Sequence, residues 1–247
     1  MKILVCVSKT PDTTTKIVLA PDGKSLDTNG VQYIMNPYDE WYALVRALEL
    51  TETLGGSVTL INVGPADNDA IIRKGLAIGA HDAVRIDVGE QVSSLFVARQ
   101  IAAYAQAQGY DLVMTGKETI DYNGSEVGAM IAELLDQPYI SYATQLDVAG
   151  STATVTREIE GGVEVVQLDT PFVLSAAKGL AEQRIPNMRG IMMAKSKPLQ
   201  VLPATGTEEW VKAVGYSLPP VKSSVKLLAA DQMDELVRLL HEEAKVI

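Results

Sequence analysis

Residues 58–116 read VTLINVGPADNDAIIRKGLAIGAHDAVRIDVGEQVSSLFVARQIAAYAQAQGYDLVMTG, and their punctuation decides the fold. Val58 to Val63 is a β-branched-rich run that stops at Gly64-Pro65. Asn68 to Ile78 has helical spacing and is closed by Gly79; Ala83 to Val88 is a second apolar run. Ser93 to Gln108 is an Ala-rich helix ending at Gly109, and Leu112 to Thr115 is a third run, ending at Gly116-Lys117. Short continuous apolar runs are expected of strands covered on both faces. Alternation with helices predicts a parallel sheet, because parallel neighbours need a crossover connection.

The pattern extends both ways. Ile3 to Val7 reads as a buried first strand, followed by a loop with turn chemistry at Pro11-Asp12 and Pro21-Asp22-Gly23. Asn36-Pro37-Tyr38-Asp39 opens a helix that runs to about Leu54 and stops at Gly55-Gly56. Asp39 is the expected N-cap, its carboxylate accepting from first-turn amides. After Thr115, a loop from Glu118 to Asn123 leads into a helix expected over Gly124 to Leu135. From Ser141 the spacing changes. Thr144–Val148, Ala153–Ile159 and Val163–Asp169 read as strands joined by turns at Ala149-Gly150 and Gly161-Gly162, an antiparallel extension of the same sheet; Pro171–Ala176 is a further apolar run. The expected fold is therefore α/β, doubly wound and mostly parallel.

Two segments divide the chain: residues 1–194 as the α/β domain, and residues 195–247 as an arm. Pro198, Pro203, Pro219 and Pro220 punctuate a stretch with little periodicity. A structureless segment of that length is unusual inside a compact domain and is expected to lie on another protein. It ends in an amphipathic helix, Asp231 to Ile247, with Met233, Leu236, Val237, Leu240 and Ala244 on one stripe. Packing of arm and helix on their own domain is the alternative.

Composition limits the chemistry. The 247 residues carry a formal net charge of −10, 47% hydrophobic and 21% charged residues. That balance suits a folded globular chain, and an acidic surface does not attract nucleic acid. One cysteine, Cys6, excludes an internal disulfide and a Cys-cluster metal site; two histidines, His81 and His241, offer little for zinc or a triad. No run approaches a membrane span or a signal peptide, so membrane insertion is not expected and the cytoplasm is the expected location.

In open parallel sheets, ligands bind beyond the carboxyl ends of the strands. Two such places converge. Gly116-Lys117-Glu118-Thr119-Ile120-Asp121-Tyr122-Asn123-Gly124-Ser125-Glu126-Val127 follows a strand and enters a helix. Gly116 admits close backbone approach, amides near Gly124 and Ser125 face an anion, and Lys117 adds a positive charge. An ordinary strand-to-helix loop with a capping Ser is the alternative. It is neither a Walker A loop nor a G-x-G-x-x-G fingerprint. Asn36, Pro37, Tyr38 and Asp39 offer a second wall: an amide for a base or ribose edge, a fixed backbone and a stacking ring; a helix cap with an exposed Tyr reads equally well. Separately, Arg184-Ile185-Pro186-Asn187-Met188-Arg189-Gly190-Ile191-Met192-Met193-Ala194-Lys195 mixes basic residues with three methionines. Met188 between Arg184 and Arg189 would make an apolar anchor with a basic rim; Met192 and Met193 read equally as core residues.

Five stretches in order carry a resemblance: Asn36-Pro37-Tyr38-Asp39, Arg73 to Ala80, the Gly116–Gly128 loop, Arg157 to Gly162, and Ile191 to Lys195. Over essentially its whole length the chain resembles electron transfer flavoprotein β subunits. The resemblance implies an adenine-nucleotide-hydrolase-like fold and a heterodimer with an electron transfer flavoprotein α subunit. It implies an electron carrier, not an enzyme with its own turnover. FAD is held mainly by α, and electrons pass from acyl-CoA dehydrogenases through it to a quinone reductase. By position, Cys6, Asn36 to Asp39, Val63 and Gly116 to Val127 would line a pocket holding a structural AMP, and residues 185–194 would recognise the dehydrogenase through Met188. Asp39 stands where non-bifurcating members often have Cys, so a bifurcating type with a second FAD stays open. Met193 and Ser196 replace lysines of the recognition loop. An adenine-nucleotide enzyme of the ATP-pyrophosphatase-like class is the runner-up, but Ser8-Lys9-Thr10-Pro11-Asp12 lacks the glycines of its phosphate loop. A nucleotide-sensing module is the third reading, and it would need neither the arm nor the methionine segment.

Overall fold

The structure is a computed structural model and describes residues 1–89, 92–206, 208–221 and 225–247. The expected arm includes residues 207 and 222–224, which lie outside the described residues. In chain order the elements are β1 (Lys2–Cys6), β2 (Lys9–Pro11), β3 (Tyr33–Met35), α1 (Asp39–Leu54), β4 (Ser57–Gly64), α2 (Asp69–Ile78), β5 (Asp82–Asp87), α3 (Ser94–Gln108), β6 (Leu112–Gly116), α4 (Val127–Leu135), β7 (Tyr139–Ala149), β8 (Thr152–Ile159), β9 (Gly162–Asp169), β10 (Phe172–Ala176), α5 (Met188–Ala194), β11 (Leu199–Pro203) and α6 (Met233–Leu239).

Among the described residues, nine strands form one sheet in the order β11-β5-β4-β1-β6-β10-β7-β8-β9. β11 through β7 pair in parallel; β7-β8 and β8-β9 are antiparallel. This is the doubly wound sheet with an antiparallel extension that the residue pattern predicts. Alternation along the strands builds two cores. Ile3, Val5, Leu60, Leu112 and Met114 face α1 and α2, meeting Leu44, Leu48, Ile72 and Leu76. Leu4, Cys6, Ile61, Val113 and Val173 face α3 and α4, meeting Ala98, Ile101, Ala105 and Ile131. β1 is the switch strand: its chain neighbours leave by β4 on one side and return by β6 on the other, which opens a crevice at their carboxyl ends.

Several boundaries differ from the sequence expectation. Leu199–Pro203 is not irregular: it pairs with β5 as the sheet's edge strand. Pro203 sits at its end, where a missing N–H costs no ladder bond. α4 begins at Val127, not Gly124, because Asn123 and Ser125 hold left-handed φ values of 50° and 52°. Tyr38, with φ 65°, occupies the cap of α1; Asp39 is its first helical residue and makes no capping bond. The terminal helix is shorter than its stripe, with α6 followed by a π turn over Leu240–Ala244.

The arm leaves β11 along its own domain. Thr205 and Gln100 exchange hydrogen bonds of 2.9 and 3.2 Å. Glu209 accepts from the Ser93 amide at 2.9 Å, Trp210 stacks under Arg99 at 4.0 Å, and the Tyr216 amide donates to Gly23 O at 2.7 Å. Beyond that point apolar side chains are in the open: Val221 is 98% and Leu227 88% exposed. No helix among the described residues is long and apolar enough to cross a membrane.

Candidate functional site

The crevice beside β1 is built from three pieces. Cys6 to Ser8 leave β1, Thr115 and Gly116 end β6, and Asn36 to Glu40 enter α1. Asn36 is fully buried and ties two of them together. Its Nδ2 donates to Glu118 O at 3.0 Å and its Oδ1 accepts from the Ile120 amide at 3.0 Å. One side-chain amide thus substitutes for a strand partner and fixes the 117–126 loop. Gly116 is where β6 meets α1: a Cβ there would lie 2.9 Å from Glu40 Cγ and 3.1 Å from Asp39 Cβ. Proline at 37 holds the chain extended before the turn.

The wall is acidic but not fully ionised. Glu40 is buried, and its Oε2 accepts from the Ser8 amide at 2.6 Å. Burial pushes its carboxyl up to about 8, against the opposing Ser8 hydrogen bond. Burial likewise raises Asp39 to about 6, while Lys117 pulls it back. Both carboxyl groups are in the interior, where helix-borne carboxylates are ordinarily solvated. At neutral pH Glu40 largely keeps its proton, which removes one negative charge from a wall that would face a phosphate. Lys117 Nζ lies 3.1 Å from Glu118, and Ser125 Oγ donates to Glu118 at 3.2 Å, so the hydroxyl closes the loop on itself.

The expected residues divide into three sets. Asn36 meets Glu118 and Ile120, Asp39 meets Gly116 and the charge of Lys117, and Ser125 closes on Glu118, whereas Asp121, Tyr122, Asn123, Gly124 and Tyr38 are exposed and Pro37 is half-buried. Glu126 occupies the cap position of α4 without a side-chain capping bond, and Val127 starts the helix. Cys6 is close by but buried toward α3 and α4; burial, then Glu40, raises its thiol well above the usual range. Val63 is farther off: it ends β4, across β1, and packs on the cluster under α3. Residues not anticipated from sequence are Ser8, Glu40, Thr115 and Tyr216. Glu40 is adjacent to the Asn-Pro-Tyr-Asp run, which was its available signal. Tyr216 Oη lies 3.4 Å from Tyr122 Oη, across 94 residues, and nothing local announces it.

An adenylate fits the chemistry of these groups. Thr115 Oγ1 is buried with no hydrogen-bond partner among the described residues, and it lies at the first turn of α4: a Cβ on Gly128 would come within 2.8 Å of it. The first-turn amides of a helix have no intrahelical acceptor. An unpaired hydroxyl beside such amides matches a phosphate or ribose oxygen.

The methionine segment forms a separate exposed stretch on α5. α5 turns Met188, Met192 and Met193 outward, 73%, 69% and 48% exposed, so the core reading of Met192 and Met193 is corrected. Arg184 forms a two-point pair with Glu52 at 2.6 and 3.1 Å, while Arg189 is exposed.

Comparison with known proteins places the chain in a family. The family model for the electron transfer flavoprotein domain matches residues 24–206. An electron transfer flavoprotein subunit beta of Bacillus subtilis is 37% identical over 260 aligned positions, covering all of both chains. The subunit beta of Syntrophomonas wolfei is 35% identical, covering 91% of this chain and 88% of its own length. That of Homo sapiens is 36% identical, with 82% and 81% covered. The chain belongs to the electron transfer flavoprotein family, among its β subunits.

Proposed function

We propose that this chain pairs with an electron transfer flavoprotein α subunit and forms part of the wall around a FAD held mainly by that subunit. FAD, when bound, supplies the redox chemistry, and the protein's part is to hold, orient and shield it. In this reading the heterodimer carries electrons from acyl-CoA dehydrogenases to a quinone reductase in the cytoplasm, without turnover of its own. The crevice beside β1 holds a structural AMP. Asn36 fixes the loop around it, Thr115 and the α4 amides meet its oxygens, and protonated Glu40 lowers the charge of the wall. A ligand bound only by the folded chain adds stability by mass action.

The observation that carries the pairing is the outer half of the arm. Val214, Leu218, Val221, Val225 and Leu227 are exposed apolar side chains in sequence, followed by an open stripe of Met233 and Val237 on α6. Exposed apolar surface of that extent marks a protein interface. Coexpression with the α subunit tests the reading. The heterodimer should release one FAD and one AMP on denaturation. Two flavins without AMP would replace the structural nucleotide by a second, bifurcating flavin. A stable chain that refuses the α subunit would refute the pairing.

A further inference from the structure

α5 is mounted inside out. Its small residues face the domain: Ala194 is buried, and a Cβ on Gly190 would sit 2.4 Å from Ala77 O. Its large apolar residues face water: Met188, Ile191, Met192 and Met193, with Ile185 just before the helix. An amphipathic helix ordinarily does the reverse. The mounting is firm. Arg73 Nη1 donates to Ala194 O and Lys197 O at 2.7 and 2.6 Å. Lys197 Nζ donates to Leu76, Gly79 and Ala80 carbonyls at the end of α2. Trp41 Nε1 donates to Arg184 O at 3.0 Å, and Asn187 caps the helix through the Gly190 amide at 2.8 Å. The helix therefore cannot roll over to hide its methionines without breaking these bonds.

Of the eight methionines in the chain, three are on this one helix and in water, whereas Met35 and Met114 are fully buried. Thioether oxidation follows exposure and turns a flexible apolar side chain into a polar, chiral one.

We propose that Met188, Met192 and Met193 form a peroxide-sensitive switch on the dehydrogenase-docking surface, in which conversion to sulfoxides turns docking off. This rests on the electron transfer from acyl-CoA dehydrogenases proposed above, and takes the exposed apolar face of α5 as the surface on which they dock. Each event is balanced: a methionine sulfur gives two electrons to hydrogen peroxide, the O–O bond breaks, one oxygen bonds to sulfur, and the other leaves as water. Anchors at the centre of an interface carry most of its energy, so making them polar loosens the complex more than a change at the rim. Sulfoxide reduction returns the thioether, so the switch is reversible.

The test uses the heterodimer with its α subunit. It is treated with hydrogen peroxide, and oxygen uptake is mapped by peptide mass spectrometry. Met188, Met192 and Met193 should each gain one oxygen before Met35 or Met114 gains any. Initial rates of electron transfer from an acyl-CoA dehydrogenase are then measured against dehydrogenase concentration. The apparent KM should rise about tenfold or more, with the rate at saturation little changed. Methionine sulfoxide reductase should restore it. A Met188→Leu, Met192→Leu, Met193→Leu triple variant should keep its KM through the same treatment, which separates any contribution of exposed Met233. Unchanged KM with all three oxidised, or a Leu variant as sensitive as the natural chain, overturns the switch. Resistance of the three methionines to peroxide overturns it too. An untreated heterodimer that takes no electrons from the dehydrogenase overturns the functional reading, and the switch with it; an untreated active one that ignores oxidation overturns the switch alone.

Discussion

At the carboxyl ends of β1 and β6, two carboxyl side chains, Asp39 and Glu40, are buried; on α5, three methionine side chains are exposed. Each arrangement costs the isolated chain stability. Burying a carboxyl penalises its charged form, and exposing apolar surface forfeits its transfer free energy. Each is also held by side chains that bind backbone: Asn36 fixes the 117–126 loop, and Arg73 with Lys197 fixes α5. A protein breaks local rules and then reinforces the breach where something else is meant to complete the site. The two regions differ in what would complete them: polar oxygens in the crevice, apolar surface on the helix.

The comparison can be broken first at Asn36. Asn36→Ala leaves the Glu118 carbonyl and the Ile120 amide without a partner. The expected loss is about 2–4 kcal/mol in urea unfolding, together with loss of AMP from the heterodimer. Retained AMP at wild-type stability would mean that the loop holds itself.

A smaller effect separates burial from charge. Glu40 has a carboxyl raised to about 8, so between the ordinary carboxylate range and pH 8 the native chain keeps a proton that the unfolded chain gives up. Its contribution to stability is complete below that window and is lost as pH rises through it. Asp39, raised to about 6, acts in the same direction over a narrower window. Glu40→Gln should flatten stability between about pH 6, where the slope from Asp39 ends, and about pH 8, and should stabilise the chain by on the order of a few kcal/mol above that. An unaltered pH profile in the variant would show that the proton is held elsewhere.

The smallest effect belongs to the helix mount. Arg73→Ala removes the donor to Ala194 O and Lys197 O, with an expected cost of about 1–2 kcal/mol. Amide exchange should rise across residues 188–196 and stay unchanged in β1 and β6. Equal protection across α5 in both proteins would show that Gly190 packing and the Lys197, Trp41 and Asn187 bonds seat it without Arg73.

Much of the fold was legible because it depends on local periods. β4, β5, β6, α2 and α3 end within a residue or two of their Gly and Pro signals, and the turns at Gly150 and Gly161 announced the antiparallel strands. β11 was not legible: it is five residues long, ends in Pro and has an exposed face, so its pattern is that of a loop until β5 pairs with it. Nor was the insertion of β10 between β6 and β7, since pairing of distant strands leaves no mark in either one. In the site, Asn36 and Gly116 were legible as residues that chemistry rarely wastes. Glu40 was not, because the same letter on a helix surface would be solvated.

Residue order by itself determined the alternation of strand and helix, the acidic balance, and the stretches that carry unusual chemistry, because those follow from side-chain period and composition. Only tertiary packing decided that Glu40 is inside and Met192 outside. Burial is a property of what the rest of the chain places beside a residue: β1 and β6 close over one end of α1, while α5 is pinned by its smallest side chains and keeps its largest in water.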